Sequence, residues 1–268
     1  MIVAERIRMG RAALYACAIL LLAPHPGRCQ SDPSSFGGTI AVTSDYIYRG
    51  VSESDGQGAV QADLHASTAG GTFAGVWAST RDRDLEPGTP GEVQLYLGQH
   101  FALGGAWSAA LSGRADYFVG GSPYHSADYQ ELSASLTWLD SCTFSISFIP
   151  SAVRYTLTAS PTLPPHFYYE VYRSTAFLGD ASGQWLLRQG LFGGALYATA
   201  AAGYYYQSRP AQADDAPGVG YLYGNAGLAL EWRRWRIDLG YFAAQGRAAE
   251  LFPYPVANRL AGTVSWQF

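Results

Sequence analysis

The sequence predicts an all-β fold, namely a transmembrane up-and-down antiparallel β-barrel of about twelve strands. Three observations predict it: apolar and polar residues alternate along most of the chain, long and short connections alternate, and the chain ends on an aromatic residue. Residues 259–268 show the alternation most clearly. One face of this closing strand carries Leu260, Gly262, Val264, Trp266 and Phe268. A barrel strand needs such an apolar face towards lipid, with aromatic side chains at the membrane interface.

The first 29 residues are predicted to be a secretory signal peptide. Arg6, Arg8 and Arg11 form a basic start, and residues 12–23 are an apolar run that prolines terminate. As a helix this run would measure about 18 Å, too short for a bilayer core of about 30 Å. Cys29 leaves a lipid anchor open as an alternative, although the residues before it match that signal poorly. We expect an exported chain with a short periplasmic extension at 30–36 and a barrel at 37–268.

Charge and cysteine content narrow the classes of partner. All 17 basic residues are arginines, and removal of the predicted leader leaves 13 of them against 20 acidic residues, a formal charge of −7. An acidic chain lacks the basic surface that nucleic acids require, so no nucleic-acid partner is expected. Cys142 is the one cysteine beyond the leader, so no intrachain disulfide is expected.

Alternating segments recur from Gly37 to the end and give the predicted strands. In chain order these are 39–49, 59–68, 73–80, 92–101, 107–117, 131–138, 143–148, 167–177, 195–206, 221–232, 235–244 and 259–268. About 19 residues are then available for each strand and its connection, and a spanning strand takes about 9–11. The apolar stretch 190–206 leaves one membrane-spanning helix open, but its glycines and its run of three tyrosines favour a strand.

The lengths of the connections support a barrel over a soluble β-sandwich. The long connections are 50–58, 81–91, 120–128, 150–165, 207–219 and 246–258, and the short ones include 69–71, 103–105, 140–141 and 233–234. Outer-membrane barrels have short periplasmic turns and long external loops, whereas a sandwich has no reason to sort its loops by length. The stretch 179–194 breaks the rule, and we expect a short helix or an irregular link there.

Charged residues are predicted to line the lumen on the polar faces of these strands. The acidic candidates are Asp45, Asp63, Glu92, Asp116, Glu131, Glu170, Glu231 and Asp238, and the basic candidates are Arg49, Arg114, Arg236 and Arg259. Their formal sum is −4. Two interpretations remain open. The charges could pair across strands and plug a narrow barrel, or they could favour cations in a narrow, weakly cation-preferring pore.

The run Ser44-Asp45-Tyr46-Ile47-Tyr48-Arg49-Gly50-Val51-Ser52-Glu53-Ser54-Asp55-Gly56 resembles the opening segment of TorF-family porins. Residues 75–79 and 92–98 are similar to the third and fourth strands of that family. The resemblance covers the first hundred residues, and the rest of the chain is similar mainly in architecture and in its terminal Phe268. It implies an outer-membrane pore, with its first strand starting in this run, and it brings no catalytic residues or substrate.

No metal, nucleotide or hydrolase motif occurs in the sequence, so neither a cofactor, a metal nor an enzymatic activity is expected. His65 beside Ser67 and the pair His125-Ser126 leave a hydrolytic barrel open, although neither pair is joined to a clear orienting acid. The expected function is a porin-like channel for small solutes or ions in the cell outer membrane. The alternative is a closed barrel that acts through its external loops as an adhesin or an envelope-structural protein. The expected partners are membrane lipid, lipopolysaccharide and the barrel-assembly machinery, which would recognise Trp266 and Phe268.

Overall fold

The computed structural model describes residues 34–81, 90–120, 128–159, 167–211, 217–252 and 254–268, without the side chains of 156–159 and 167–170. The predicted signal peptide lies outside these residues. The first strand begins at Ser35, two residues inside the predicted periplasmic extension. No helix within the described ranges is both long enough and apolar enough to span a membrane.

The described chain is almost entirely β-structure. Its strands are β1 Ser35–Thr43, β2 Ile47–Tyr48, β3 Val51–Ser52, β4 Ala59–Ser67, β5 Thr72–Thr80, β6 Gly91–Gly104, β7 Trp107–Val119, β8 Tyr129–Trp138, β9 Cys142–Ala159, β10 Phe167–Leu191, β11 Gly194–Gln207, β12 Val219–Trp232, β13 Trp235–Ala244 and β14 Asn258–Gln267. A single 3₁₀-helix turn, Gly246–Glu250, follows β13. This order confirms the predicted all-β class.

Twelve of the strands form a closed antiparallel barrel, and β2 and β3 form a separate small hairpin. Each barrel strand pairs with its neighbour in the chain, and β1 closes the barrel against β14, from Thr39 opposite Gln267 to Thr43 opposite Thr263. The predicted count of twelve barrel strands is confirmed. Because neighbours in sequence are neighbours in space, all long connections lie at one end of the barrel, here called the loop end. All short turns lie at the other, here called the turn end.

Alternation places an apolar face outside and a polar face inside. Leu97, Ile146 and Leu260 are about two-thirds exposed on the outer surface, at 66%, 67% and 65%. On the inner face Gln61, Gln94 and Asp116 are fully buried. A soluble barrel would be reversed, since apolar side chains belong in its core. The outer surface is therefore suited to lipid and the inner surface to water and buried polar contacts.

Aromatic side chains mark the outer surface at the turn end. Trp107 lies opposite Trp138 in the register with their rings 6.3 Å apart, and Trp235 lies opposite both Trp232 and Trp266. The ring of Trp266 stacks on that of Phe268 at 5.0 Å. Such rings at the edge of an apolar surface form the interfacial girdle of a membrane barrel.

Two predicted connections are strands instead. Residues 150–159 continue β9, so this part of the expected long loop at 150–165 is wrong, and residues 160–165 lie outside the described residues. Residues 179–191 continue β10, so the expected helix or irregular link at 179–194 is wrong. In β10 the register shifts between Leu186 and Arg188 and again between Gln189 and Leu191. These bulges put Leu186 and Leu187 on the same exposed surface, which breaks the alternation that reveals a strand in the sequence.

The loop-end halves of β9 and β10 extend beyond the barrel as a two-stranded ribbon, residues 151–159 and 167–174. The register of β10 with β11 begins only at Ala176, and that of β9 with β8 only at Phe148. A register shift between Ser174 and Ala176 marks the base of this projecting ribbon. Its Tyr155 donates a backbone hydrogen bond to the carbonyl of Leu251 at 3.0 Å, so the ribbon contacts the β13–β14 connection.

Candidate functional site

The first long connection folds back into the barrel as an inner hairpin, defined here as residues 45–54. Its strands β2 and β3 pair through Tyr48 and Val51, and the two residues between them, Arg49 and Gly50, both have positive φ, at 49° and 78°. Two positive φ angles are required at the centre of a type I′ turn. A Cβ on Gly50 would collide with Ala244 and Tyr223, so the tip of the hairpin needs glycine for space as well.

This hairpin corrects the prediction that the first strand spans 39–49. The strand ends at Thr43, and Asp45 then accepts hydrogen bonds from the hydroxyl groups of Ser52 at 2.5 Å and Ser54 at 3.0 Å. The backbone N–H of Tyr46 donates to the hydroxyl oxygen of Ser54 at 2.8 Å, so a side chain takes the place of a sheet partner there. Asp45 therefore fastens the base of the hairpin instead of lining a strand, and Arg259 lies 3.6 Å from its other oxygen.

Arg49, at the hairpin tip, binds the far wall of the lumen. Its Nη2 donates to both carboxylate oxygens of Glu131 on β8, at 2.7 and 2.8 Å. Arg114 on β7 donates to the same carboxylate at 2.8 Å, and its Nε lies 3.1 Å from Asp116. All four side chains are buried, with side-chain exposures of 9% or less. Two arginines and two carboxylates thus neutralise one another in a site with little water, where a lone charge would be very costly.

Tyrosines next to the tip complete the attachment. Tyr46 packs against Trp77 with ring centroids 5.6 Å apart and donates from its hydroxyl group to Glu92 at 3.2 Å. Arg114 donates to the hydroxyl oxygen of Tyr48. Tyr46 and Tyr48 fall within the predicted first strand, 39–49, but both lie inside the barrel because the chain leaves the sheet before them.

The other side of the hairpin rests on β12 and on the β13–β14 connection. Tyr221 donates from its hydroxyl group to the carbonyl of Arg49 at 3.2 Å. Ser52 donates its backbone N–H to Pro255 at 2.9 Å, and Ala257 donates to Gly50 at 2.8 Å. The hairpin is therefore held from both sides of the lumen and narrows it near the loop end.

A second ionic cluster lies at the turn end. Arg236 is 1% exposed, and its guanidinium contacts Glu231 and binds Asp238 with Nη2 to Oδ1 at 2.9 Å and Nε to Oδ2 at 3.0 Å. Adjacent strands β12 and β13 supply these residues, with Glu231 directly opposite Arg236. The cluster pairs charge across neighbouring strands and does not involve the hairpin.

We expect Arg236→Ala to lower the free energy of unfolding by about 3 kcal/mol, because it leaves two poorly solvated carboxylates without their counter-ion. Urea titration of the protein refolded into lipid vesicles measures this. The matched control is Arg247→Ala, which removes an exposed arginine 3.3 Å from Glu250 and should cost about 0.5 kcal/mol or less. Equal losses in the two variants would contradict a structural role for the turn-end cluster.

Three interior carboxylates have neutral hydrogen-bond donors. Asp63 accepts from the Tyr96 hydroxyl at 2.7 Å and lies 2.6 Å from His65 Nδ1, and Glu92 accepts from Gln94 at 2.8 Å. Asp180 accepts from the hydroxyl of Tyr223. Sequence reasoning missed Asp180 because it lies in the stretch interpreted as an irregular link, although its spacing of three from Phe177 places it on the opposite, polar face of a strand.

The remaining predicted residues are placed as follows. Glu170 lies opposite Thr156 in the β10–β9 register, and its side chain is outside the described part of the structure. At the barrel seam, the backbones of Phe268 and Gly38 exchange hydrogen bonds of 3.0 and 3.2 Å. The hydroxyl of Ser67 lies 2.6 Å from that of Ser35, while the imidazole of His65 binds Asp63. This arrangement does not assemble a serine nucleophile with a base, as the hydrolase alternative requires.

A cavity opens beside the inner hairpin, and we call it the aromatic chamber. Its volume is about 610 Å³ including open solvent at its mouth, and it is lined by fourteen residues from the hairpin, six barrel strands and the β13–β14 connection. Seven of these are Tyr or Phe, four are aliphatic, and three are charged. Among the described residues, no group of three or more His, Cys, Asp or Glu side chains could hold a metal ion.

Comparison with known sequences gives one family. Residues 28–159 match the family described as "Bacterial protein of unknown function (Gcw_chp)". This match covers the inner hairpin and strands β1 to β9, and it does not confirm the TorF-family name that the opening segment suggested. No curated protein matches the chain.

Among solved structures, the KdgM porin in complex with disordered oligogalacturonate is 8% identical, with a TM-score of 0.46, and the match covers 88% of this chain and 98% of that one. The translocator domain of autotransporter NalP from Neisseria meningitidis is 12% identical, with a TM-score of 0.43 and coverages of 88% and 87%. The TodX monoaromatic hydrocarbon channel, as its deltaS2 mutant, is 9% identical, with a TM-score of 0.36 and coverages of 87% and 88%. These distant likenesses carry no argument about function.

Proposed function

We propose that the protein is an outer-membrane channel through which small solutes or ions diffuse, with a lumen narrowed by the inner hairpin. The observation that carries this proposal is the closed barrel with an apolar, exposed outer face and a polar interior. Every backbone group of a closed barrel is paired, so such a barrel can lie in lipid without exposing unsatisfied N–H or C=O groups.

The two ends of the barrel support an outer-membrane location. Short turns and both ends of the barrel chain lie at one end, and long connections lie at the other, as in barrels inserted from the periplasm. On this proposal the tryptophans of the turn end face the periplasmic interface, and the loop end faces lipopolysaccharide. Trp266 and Phe268 lie on the seam strand and are the proposed signal for the barrel-assembly machinery.

The interior beyond the hairpin supports passage of water and small solutes. Small hydroxyl side chains face one another there, with Ser133 and Ser147 oxygens 2.8 Å apart and those of Thr137 and Thr143 3.0 Å apart. Small polar residues leave room in a barrel of this size, and they hydrate readily. We infer that the hairpin, rather than the barrel wall, sets the width of the pathway.

The charges support a weak preference for cations. The four predicted arginines all lie in ion pairs within the barrel, so they oppose the passage of cations less than free charges would. Asp63 and Asp180, which accept hydrogen bonds from tyrosine hydroxyl groups, then supply negative potential. The preference is therefore proposed to come from a smaller set than the eight acids of the sequence prediction.

The combined variant Asp63→Asn and Asp180→Asn is expected to bring the cation-to-anion permeability ratio about twofold closer to unity, since it removes both of these charges. Reversal potentials across planar bilayers under a potassium chloride gradient measure the ratio. Asp140→Asn, at an exposed turn-end position, is the matched control and should leave it unchanged. An unaltered permeability ratio in the double variant would contradict the assignment of selectivity to these carboxylates.

Single-channel recording of the purified, refolded protein tests the channel itself. Discrete conductance steps are expected, and their absence in both the native chain and a chain without the hairpin would refute the proposal. That outcome would favour the alternative of a closed barrel acting through its external surface as an adhesin or envelope-structural protein. The ribbon of β9 and β10 supports this alternative, because these two strands continue beyond their pairing with β8 and β11.

A further inference from the structure

The aromatic chamber lies on the pathway of the proposed channel, between the inner hairpin and the wall formed by β9, β11 and β12. It is closed at the side of the hairpin by Tyr48 and Arg49 and bordered by Tyr155 of the projecting ribbon and Phe252 of the β13–β14 connection. The rings of Tyr155 and Tyr254 pack edge to face with their centroids 6.1 Å apart, and this contact joins the ribbon to that connection. On the proposed channel, a solute that enters from the loop end therefore meets this cavity beside the hairpin.

The lining of this chamber favours a ring-bearing solute. Tyr129, Tyr155 and Phe252 are only half-buried, so parts of their rings remain open to the cavity. Aromatic rings attract other rings in offset or edge-on geometry beyond the gain from burial alone. The aliphatic side chains of Val51, Ile149 and Val153 fill much of the remaining wall.

The charges of the chamber favour an uncharged solute. Arg49 is bound to Glu131, Glu53 is bound to Arg81, and Glu92 accepts from Tyr46 and Gln94. An ion that entered would lose its hydration without gaining an unbound partner of opposite charge, at a considerable cost in free energy. Carboxylate and tyrosine oxygens can still accept a hydrogen bond from a neutral hydroxyl group.

The same lining disfavours a sugar. Eleven of the fourteen lining residues are aromatic or aliphatic, so most hydroxyl groups of a sugar would face apolar atoms. Each buried hydroxyl group without a partner costs about 1–3 kcal/mol. A compound with one ring and one hydroxyl group avoids most of this cost, because it presents one hydroxyl group and an apolar ring to the lining.

We propose that the aromatic chamber binds small, uncharged, hydroxylated aromatic compounds, and that these are the solutes held at the loop end of the pore. The proposal rests on the proposed channel function for the direction of passage. Binding itself can be measured without any current, so failure of one proposal can be told from failure of the other.

The test is fluorine NMR of 4-fluorophenol with the full-length mature protein in lipid nanodiscs, with empty nanodiscs as the reference for partition into lipid. A saturable shift or broadening is expected for 4-fluorophenol. Neither 4-fluorobenzoate, which is charged, nor 2-deoxy-2-fluoroglucose, which is a sugar, should produce one. A saturable response to either of these two probes at the same or lower concentration, or none to 4-fluorophenol, would overturn the proposal.

Tyr155→Leu combined with Phe252→Leu tests the site within the protein. Removal of two ring faces at nearly constant apolar character is expected to weaken 4-fluorophenol binding roughly tenfold. Tyr241→Leu is the matched control, because this ring lies on the outer face of β13 and is 49% exposed. Resistance to heat unfolding on a gel shows whether each variant is folded. Equal binding by the folded double variant and the control would overturn the assignment of the site.

Discussion

Replacement of the inner hairpin by a short turn is expected to raise the single-channel conductance by about threefold or more, because the hairpin is the structure that narrows the lumen. The hairpin contacts β8 through Arg49 and β7 through Tyr48, and it rests on β12 through Tyr221. A short turn is enough to join β1 to β4, since Thr43 at the end of β1 lies directly opposite Ala59 at the start of β4. Substitution of residues 45–57 by Asn-Gly leaves Ser44 and Gly58 to complete the turn.

A smaller change should act in the same direction. Glu131→Gln removes the charge that binds both Arg49 and Arg114, so the hairpin tip loses its strongest attachment while the barrel strands keep their register. We expect more frequent or longer high-conductance openings. Glu250→Gln is the same chemical change at an exposed ion pair, 3.3 Å from Arg247, and should leave the current unchanged.

Planar-bilayer recording distinguishes the outcomes. Conductance that is unaltered after hairpin replacement, in a variant that still resists heat and migrates as a folded barrel, would show that the hairpin does not restrict the pathway. Conductance that rises in the replacement and in Glu131→Gln, but not in Glu250→Gln, would assign the restriction to the hairpin and its ionic attachment.

Deletion of Phe268 is expected to reduce the amount of assembled protein in the outer membrane by about tenfold, while export to the periplasm continues. The residue completes the seam: its N–H donates to Gly38 at 3.0 Å, and Gly38 donates back to its carbonyl at 3.2 Å. Its ring also stacks on Trp266. The β1–β14 register spans only five pairs, Thr39 to Thr43, so the loss of two adjacent hydrogen bonds is a large part of the closure.

Quantitative blotting of outer-membrane and periplasmic fractions measures this effect. Phe192→Ala is the matched control, because Phe192 is an exposed aromatic residue in a turn at the same end of the barrel and away from the seam. Normal outer-membrane levels of the truncated protein, or an equal loss in the control, would argue against a specific role of the carboxy-terminus in assembly.

Much of the barrel is predictable from local sequence. Strand β13 has the predicted bounds. Both ends of β4, β5, β11 and β14 lie within one residue of the ends predicted for each strand. The errors fall where alternation is interrupted. Pro150 and the bulge beside it hid the second half of β9, and paired bulges near Arg188 hid the end of β10. A bulge adds one residue and reverses the pattern of faces, so a period-2 interpretation stops there.

The opening motif shows a different kind of error. Residues 39–49 were interpreted as one strand because Asp45, Tyr46 and Tyr48 alternate as they would in a strand. That interpretation was wrong, because the strand ends at Thr43. The signals that could have revealed the hairpin are the Arg49-Gly50 pair, suited to a tight turn, and the serines that follow Asp45. A side-chain oxygen that accepts from a backbone N–H, as Ser54 Oγ does from Tyr46 at 2.8 Å, gives the backbone a partner outside the sheet.

The sequence by itself determined the two faces of the barrel, because each strand separates lipid from the interior and records that separation in every second residue. Only the tertiary structure decided that the first connection enters the lumen and which charges neutralise one another there. Arg49 and Glu131 are 82 positions apart, and no local pattern links them. Their pairing depends on barrel closure, which brings β8 within reach of a hairpin that starts at β1, in an interior where a buried charge needs a partner.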